Sequence, residues 1–370
     1  MSEIMNKNAD VIVIGAGIIG AHCAWRLAQA GLRVSVFERS APGSQASQAA
    51  LGLLSYHADP EKTAAMQDLV LYSAALYPDL IDELAQFSGE RVDYQPGGQL
   101  VIALSEKDLP GIELSHKLNK RKGVQVEKVT PQECRLLEPG LTPDLYGAVF
   151  FPEDAWVDNT ALTMAIVQAA EKDGGVIKRA NVEAVEIRAG RAVGVHAGGE
   201  LYRADWIILA AGSWSGQIGG IPPTPVKPIR GQALAVAGRA VRRAIMSAHS
   251  YLVPKGDSQT MIGATVEQVG FDDTNTLAGL QEVSAAGIEM APRIGQSEFL
   301  GAWAGLRPAT PDEMPMIGPY LQAPNLVAAT GHFRNGILLA PVTAQLVRAV
   351  VTGENPSLDL APFLPGRFSS

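Results

Sequence analysis

The sequence predicts an α/β protein in which a parallel nucleotide-type sheet, assembled from separated segments, is interrupted by an inserted antiparallel sheet. Three observations carry this prediction. Val11–Ser40 (VIVIGAGIIGAHCAWRLAQAGLRVSVFERS) reads as a strand, a glycine turn, a helix and a second strand ending in an acid. Two further buried-strand runs lie far downstream, one within WIILAAGSWSG (Trp206–Gly216) and one at Asn325–Thr330. Between them, after Pro222, the texture changes to short or alternating apolar stretches separated by turn residues.

In the opening unit, Val11–Ile14 is a continuous apolar run, as expected of a strand buried on both faces. Gly15, Gly17 and Gly20 supply G-x-G-x-x-G. The first allows the tight turn, the second lets backbone approach a pyrophosphate, and the third permits close helix–strand packing. Ala21–Ala30 carries Trp25, Leu27 and Ala28 at helical spacing, and Gly31 closes it as a C-cap. The strand Arg33–Phe37 delivers Glu38, whose carboxylate suits ribose hydroxyls and repels a 2′-phosphate. NADP is thereby disfavoured, while FAD and NAD both remain. The plain alternative is an ordinary βαβ unit with a glycine turn, and the strand, helix and acid in their correct places weigh against it.

Ala41–Ser55 (APGSQASQAALGLLS) separates the two cofactors. Its small residues let backbone amides approach phosphate oxygens and a flat ring, unless the stretch is simply a flexible loop. NAD enzymes continue into another βα unit here. Further along, Asp68–Phe87 reads as a helix pair interrupted at Pro78, and Gln95–Leu104 as a turn into a strand. Lys117–Lys122 (KLNKRK) reads as a solvated helix end. Asp158–Asp173 is an amphipathic helix with Asp158 or Asn159 at its N-cap. The strand that follows, Val176–Val185, is expected to return to the nucleotide sheet and bring Val182 near an adenine. Val185–Ala197 and Glu200–Trp206 form a β excursion, and Trp206–Gly216 a buried strand opening into a glycine turn. Gly212 and Trp214 are therefore cofactor-contact candidates, although Trp214 serves equally well as a core aromatic. Lys227–Val236, Tyr251–Pro254, Thr260–Val266 and Phe299–Gly305 make up the inserted antiparallel sheet. Asn325–Thr330 and a helix through Val351 complete the nucleotide fold.

Composition excludes several classes. The chain has 370 residues, above the usual single-domain size, so two domains are expected. A formal charge of −8 argues against a nucleic-acid partner. Two cysteines, Cys23 and Cys134, are too few for a disulfide scaffold, and His22, His57, His116 and His196 have no ligand-like spacing, so no metal site is expected. The polar MSEIMNKNAD lacks the order of a signal peptide, and no apolar run is long enough to span a membrane. A cytoplasmic, reducing setting is the expectation.

Three later stretches, HSYLVPKGD (His249–Asp257), WAGLRPATPDEMPMIG (Trp303–Gly318) and ATGHFRNGILLAP (Ala329–Pro341), join the opening unit and the small-residue loop in a recognisable order. In this order the chain resembles the glutathione-reductase-like flavoproteins. Within them it is similar to the D-amino acid oxidase group, and to the glycine oxidases more than to the sarcosine oxidases. The resemblance implies a glutathione-reductase-like FAD domain (1–87, 150–222 and 303–370) and a substrate domain (88–149 and 223–302). It implies that Arg307 binds the substrate carboxylate, that Tyr251 donates a second hydrogen bond to it, and that Arg334 sits near the substrate amine. His249 borders the pocket or is merely packed, and Leu53, Val266 and Trp303 set its depth. Arg39, Ser47 and Gly52 would join the FAD contacts, and Gly331, His332, Asn335, Gly336 and Ile337 would lie along the isoalloxazine.

One arginine fork and one tyrosine hydroxyl suffice to orient a small amino acid. Because FAD carries the chemistry, the hydride transfer requires no side-chain nucleophile and no catalytic side chain is assigned. Sarcosine oxidases attach flavin through a cysteine just before the T-P-D-E stretch, where this chain has Gly305-Leu306-Arg307. Dimethylglycine dehydrogenase relatives use a histidine in the small-residue loop, and Ser44–Gly52 has none. FAD is thus expected to be noncovalent. The implied activity is oxidation of glycine or a similar small amino acid or amine with O2, supplying an imine to thiamine thiazole synthesis, in a chain that forms a homo-oligomer in some relatives. The alternatives are a D-amino acid or imino acid dehydrogenase using a quinone, and a flavin-binding protein without turnover. An NAD-dependent dehydrogenase leaves Ala41–Ser55 without a role.

Overall fold

The computed structural model describes residues 8–57, 63–89 and 91–368, so the N-terminal MSEIMNK lies outside the described residues. The parallel sheet runs in the order Val176–Arg179, Val34–Glu38, Asn8–Ile14, Glu200–Leu209, Ala323–Thr330. Its apolar central strands follow from burial on both sides. One face is covered by the helices Ile18–Gln29, Asn159–Lys172 and Gly336–Thr352, which share a core containing Trp25, Leu27, Leu162, Ile166, Leu339 and Val342. The meander Val182–Arg188, Arg191–Ala197 and the start of Glu200–Leu209 packs on the other face, joining Val185 and Val195 to Ile12, Ile14 and Phe37.

The strand expected over Val176–Val185 is interrupted at Ala180–Asn181. Its first half extends the parallel sheet beside Val34–Glu38, and its second half begins the meander. The two runs that meet at Trp206 form one ten-residue strand. Residues 200–203 pair with the meander, whereas 207–209 pair with Ala323–Thr330 on the same edge. The helix pair begins at Ala64, four residues before Asp68, because the Thr63 hydroxyl caps the Met66 amide at 3.2 Å. It breaks at Leu76, and Pro78 stands in the first turn of the second helix, where no amide is needed. Asp158 is the N-cap of Asn159–Lys172, its carboxylate accepting from the Thr160 and Ala161 amides.

The second sheet has eight strands in the order Phe299–Ala309, Lys227–Ala237, Gln259–Gly263, Tyr251–Lys255, Ala244–Met246, Gln99–Ala103, Gly147–Phe151, Glu127–Val129. It is antiparallel except where Ala244–Met246 runs parallel to Gln99–Ala103. That pair joins segments that enter the sheet separately, so no hairpin dictates their direction. Phe299–Ala309 and Gly147–Phe151 each run across a domain boundary expected from sequence, at 302/303 and 149/150. Among the described residues, no helix is long and apolar enough to cross a membrane.

Candidate active site

A continuous cavity of about 820 Å³ runs between the two sheets, from Val182 and Glu38 past the glycine turn to Tyr251 and Arg307. At its nucleotide end the three glycines have distinct steric reasons. Gly15 has a φ of 101°, and a Cβ there would lie 2.5 Å from the Ala210 carbonyl oxygen. A Cβ on Gly20 would lie 2.0 Å from the Gly15 carbonyl oxygen. Gly17 is the N-cap of Ile18–Gln29, and its Cβ would approach only the Ser47 hydroxyl, at 3.3 Å. The Ile18 amide donates to that hydroxyl at 2.9 Å, while the Ala21 amide is the first to bond within the helix. The Ile19 and Gly20 amides are thus at the positive end of a helix that opens on the cavity, the arrangement that suits a phosphate.

Glu38 is buried, and its carboxylate accepts from the Ala16 amide at 2.8 Å and from the Ser40 amide at 2.9 Å. Gly52, with a φ of 81°, passes so close to Val157 that a Cβ would meet its carbonyl. Asn159 donates to the Ser47 carbonyl at 2.7 Å, and Trp303 donates to the Ala49 carbonyl at 3.0 Å, so the small-residue loop is tied to the helix Asn159–Lys172 and to the second sheet. Trp303 therefore braces this loop from outside the cavity lining, unlike Leu53 and Val266, which do line it. Arg39 stacks its guanidinium 3.7 Å from the centre of the Trp214 ring, and Phe271 lies on the same indole at 5.5 Å. Arg39, Gly212 and Trp214 all line the cavity.

At the other wall, Gly331 has a φ of 75° and packs on the Thr310 methyl. The His332 ring is turned into the protein, bonded to Thr343 at 2.9 Å, and burial pushes its pKa down to about 3. It is neutral, and its ring nitrogen Nε2 is occupied by Thr343. Asn335, Gly336 and Ile337 begin the helix Gly336–Thr352 and line the cavity. Arg334 is exposed, with its guanidinium 4.9 Å from the ring of Phe333.

The substrate end is built by strand register. Tyr251 pairs with Gly263, Gly263 with Ala233, and Ala233 with Trp303, which sets one row across four strands. One step along, Gly231 pairs with Gly305, and Arg307 follows two residues later on the same face. This face meets the small-residue loop: a Cβ on Gly305 would lie 2.3 Å from the Ala49 methyl, and one on Gly263 would lie 3.0 Å from Leu51. Arg307 donates to the Thr265 carbonyl at 3.0 Å and to the Arg230 carbonyl at 3.4 Å. No carboxylate of a described residue pairs with its guanidinium. His249 is exposed at the rim, in the turn before Tyr251 rather than in a strand.

Some of this geometry has only a faint sequence signal. Arg230 is buried and donates to Glu267 at 2.6 Å and to Asp272 at 2.8 Å. The Arg230 bond holds the Glu267 carboxyl down at about 2. Thr265 and Gln232 also donate to Glu267, so this cluster fixes the segment whose Thr265 carbonyl holds Arg307. His57 carries an Asp154 carboxylate at 2.6 Å from Nδ1 and stacks on Phe151 at 4.1 Å. Asp154 is 97 residues away in sequence, and no local pattern could have paired the two. Among the described residues, no group of three or more His, Cys, Asp or Glu side chains is disposed to hold a metal.

The lining fits the long cofactor expected from sequence. An acid stands at one end, a helix N-terminus and small-residue loop stand midway, and residues 332–337 line the end that holds Arg307. The comparisons agree. The glycine oxidase of Bacillus licheniformis is 34% identical over 95% of each chain. The bifunctional protein ThiO/ThiG of Trichormus variabilis is 34% identical over 97% of this chain but 55% of its own length, so the chain spans about half of that relative. The crystal structure of glycine oxidase from Geobacillus kaustophilus superposes with a TM-score of 0.93 at 30% identity, covering 98% of this chain and 99% of that one. The pattern described as FAD dependent oxidoreductase (DAO) matches residues 10–350, and the chain belongs to that family of FAD-dependent enzymes.

Proposed function

We propose that this chain oxidises glycine and comparable small amino acids or amines at noncovalently bound FAD, with O2 as electron acceptor. One observation carries the reading: the Arg307 guanidinium lies on the sheet face beside the small-residue loop, held from behind by two carbonyls and, among the described residues, without a carboxylate partner. A half-buried fork of this kind matches a substrate carboxylate, and the Tyr251 hydroxyl supplies the second contact. Bound FAD would accept the hydride from the substrate Cα. The protein's part is to hold the carboxylate so that the Cα–H faces the flavin. The substrate enters with its amine neutral, its imine adds water, and ammonia leaves; reduction of O2 to hydrogen peroxide closes the electron balance. The names of the glycine oxidase relatives support glycine as the substrate, and thiazole supply is the role the resemblance suggests. The buried, unpaired Cys23 and Cys134 support a reducing, cytoplasmic setting.

Peroxide formation and oxygen uptake across a panel of glycine, sarcosine, small D-amino acids and uncharged amines test the proposal. Glycine-dependent dye reduction without oxygen uptake would assign a dehydrogenase instead, and a yellow protein inert to the whole panel would assign flavin binding without turnover.

Two predictions concern the cofactor. FAD is expected to leave the polypeptide on acid precipitation, because neither Ser44–Gly52 nor Gly305–Arg307 offers an attaching histidine or cysteine. Flavin colour that stays in the precipitate contradicts this. Glu38→Ala is expected to weaken FAD retention by about 1.5–3 kcal/mol, the scale of a lost charged hydrogen bond. Turnover at saturating FAD should be nearly unchanged. Titration of the apoprotein with FAD checks it, and a fall in turnover at full occupancy would move Glu38 out of the ribose role.

A further inference from the structure

We infer that Gly231 is a positioning residue for Arg307: its missing side chain sets where the guanidinium lies, and so where a substrate carboxylate is gripped. This rests on the proposed role of Arg307. A Cβ on Gly231 would lie 2.2 Å from Nη2, 2.4 Å from Cζ and 2.4 Å from Nη1 of Arg307. Three nearly equal distances mean that the guanidinium lies flat on the Gly231 Cα.

Register explains how this arises. The direct partner of Arg307 across the sheet is Ile229, and Gly231 is its diagonal neighbour, a separation that only a long side chain spans. Arg307 leans along that diagonal towards the row that ends at Tyr251, and the Thr265 and Arg230 carbonyls take Nη1 at the far side.

Backbone geometry gives no other reason for glycine at this position. Gly231 is in the middle of Lys227–Ala237 and is not among the glycines with positive φ. Glycine in a strand interior weakens the strand and often marks a close approach. The three atoms nearest its absent Cβ all belong to Arg307. Gly305, opposite, is different: it makes room for Ala49.

The test is Gly231→Ala in the FAD-loaded enzyme. The added methyl must lift the guanidinium by about 1 Å, a displacement that typically costs on the order of 100-fold in rate. The expected result is a roughly 100-fold fall in kcat/KM for glycine and a weaker Kd for acetate, read from the flavin absorbance, with FAD content unchanged. Gly301→Ala, at a site with open space around its Cβ, serves as the control and should behave as wild type.

The double variant Gly231→Ala/Arg307→Ala separates positioning from folding. If Gly231 acts through Arg307, the alanine adds no further loss in acetate affinity or glycine turnover once the guanidinium is gone. Should Gly231→Ala alone fail to fold or hold FAD, recovery in the double variant supports the clash with Arg307, and failure in both overturns the inference. Wild-type behaviour of Gly231→Ala overturns it as well. A wild-type enzyme that neither binds acetate nor oxidises glycine instead removes the reading of Arg307 itself.

Discussion

Arg307→Ala is expected to lower kcat/KM for glycine by about thirty- to several-thousand-fold, the equivalent of roughly 2–5 kcal/mol for truncating one side of a buried charged pair. The substrate carboxylate would be left with Tyr251 alone on a sheet face closed by Leu51 and Ala49. The loss should fall on amino acids and spare amines that have no carboxylate. Arg307→Lys should recover only part of it, since an ammonium cannot reproduce the two-point fork and would not lie flat on Gly231. FAD content should be normal in both variants. Kinetics with glycine and with an uncharged amine decide the matter: a parallel decline in both, or a loss of flavin, would make Arg307 a structural residue.

Gly20→Ala is expected to damage the fold and the cofactor site together. The new Cβ would sit 2.0 Å from the Gly15 carbonyl oxygen, and both groups are backbone, so no side chain can swing aside. The helix Ile18–Gln29 must move off the turn, at a cost of about 1–3 kcal/mol or more from overpacking. That shift carries the Ile19 and Gly20 amides away from the phosphate position. Thermal melting and the ratio of flavin to protein absorbance should both fall. A Gly20→Ala protein that keeps full FAD and the wild-type melting temperature would show that the helix has slack at this point.

Local patterns made the Val11–Glu38 unit legible because each of its parts has a short-range cause: an apolar run, a turn glycine, a helical stripe, a strand end. A cap at Asp158 or Asn159 and a helix running through Val351 were readable for the same reason. Events set by register between distant strands were not. The parallel pairing of Ala244–Met246 with Gln99–Ala103, the break at Ala180–Asn181 and the inward turn of the His332 ring depend on neighbours supplied by other segments. Arg307 and Tyr251 were singled out through a resemblance, yet what shapes their face is three glycines on three strands. A glycine inside the alternating run Lys227–Val236 was the available signal for Gly231, and its partner could not be named without the pairing of Gly231 with Gly305.

The strand Glu200–Leu209 takes two different partners along one edge, and this bears on how the chain is made. Its lower half is satisfied at once by the meander just before it, but residues 207–209 wait for Leu326–Ala328, more than a hundred positions later. A ribosome-bound chain that has emerged only to Tyr320 therefore exposes an open, apolar edge beside Ile207–Leu209 and lacks the helix Gly336–Thr352 that covers it. Pairing over such long separations is slow and leaves strand edges open to association. Completion of the nucleotide sheet, and with it the flavin site, therefore waits on Ala323–Thr330, and the strand edge at 207–209 stays open until that segment has been made.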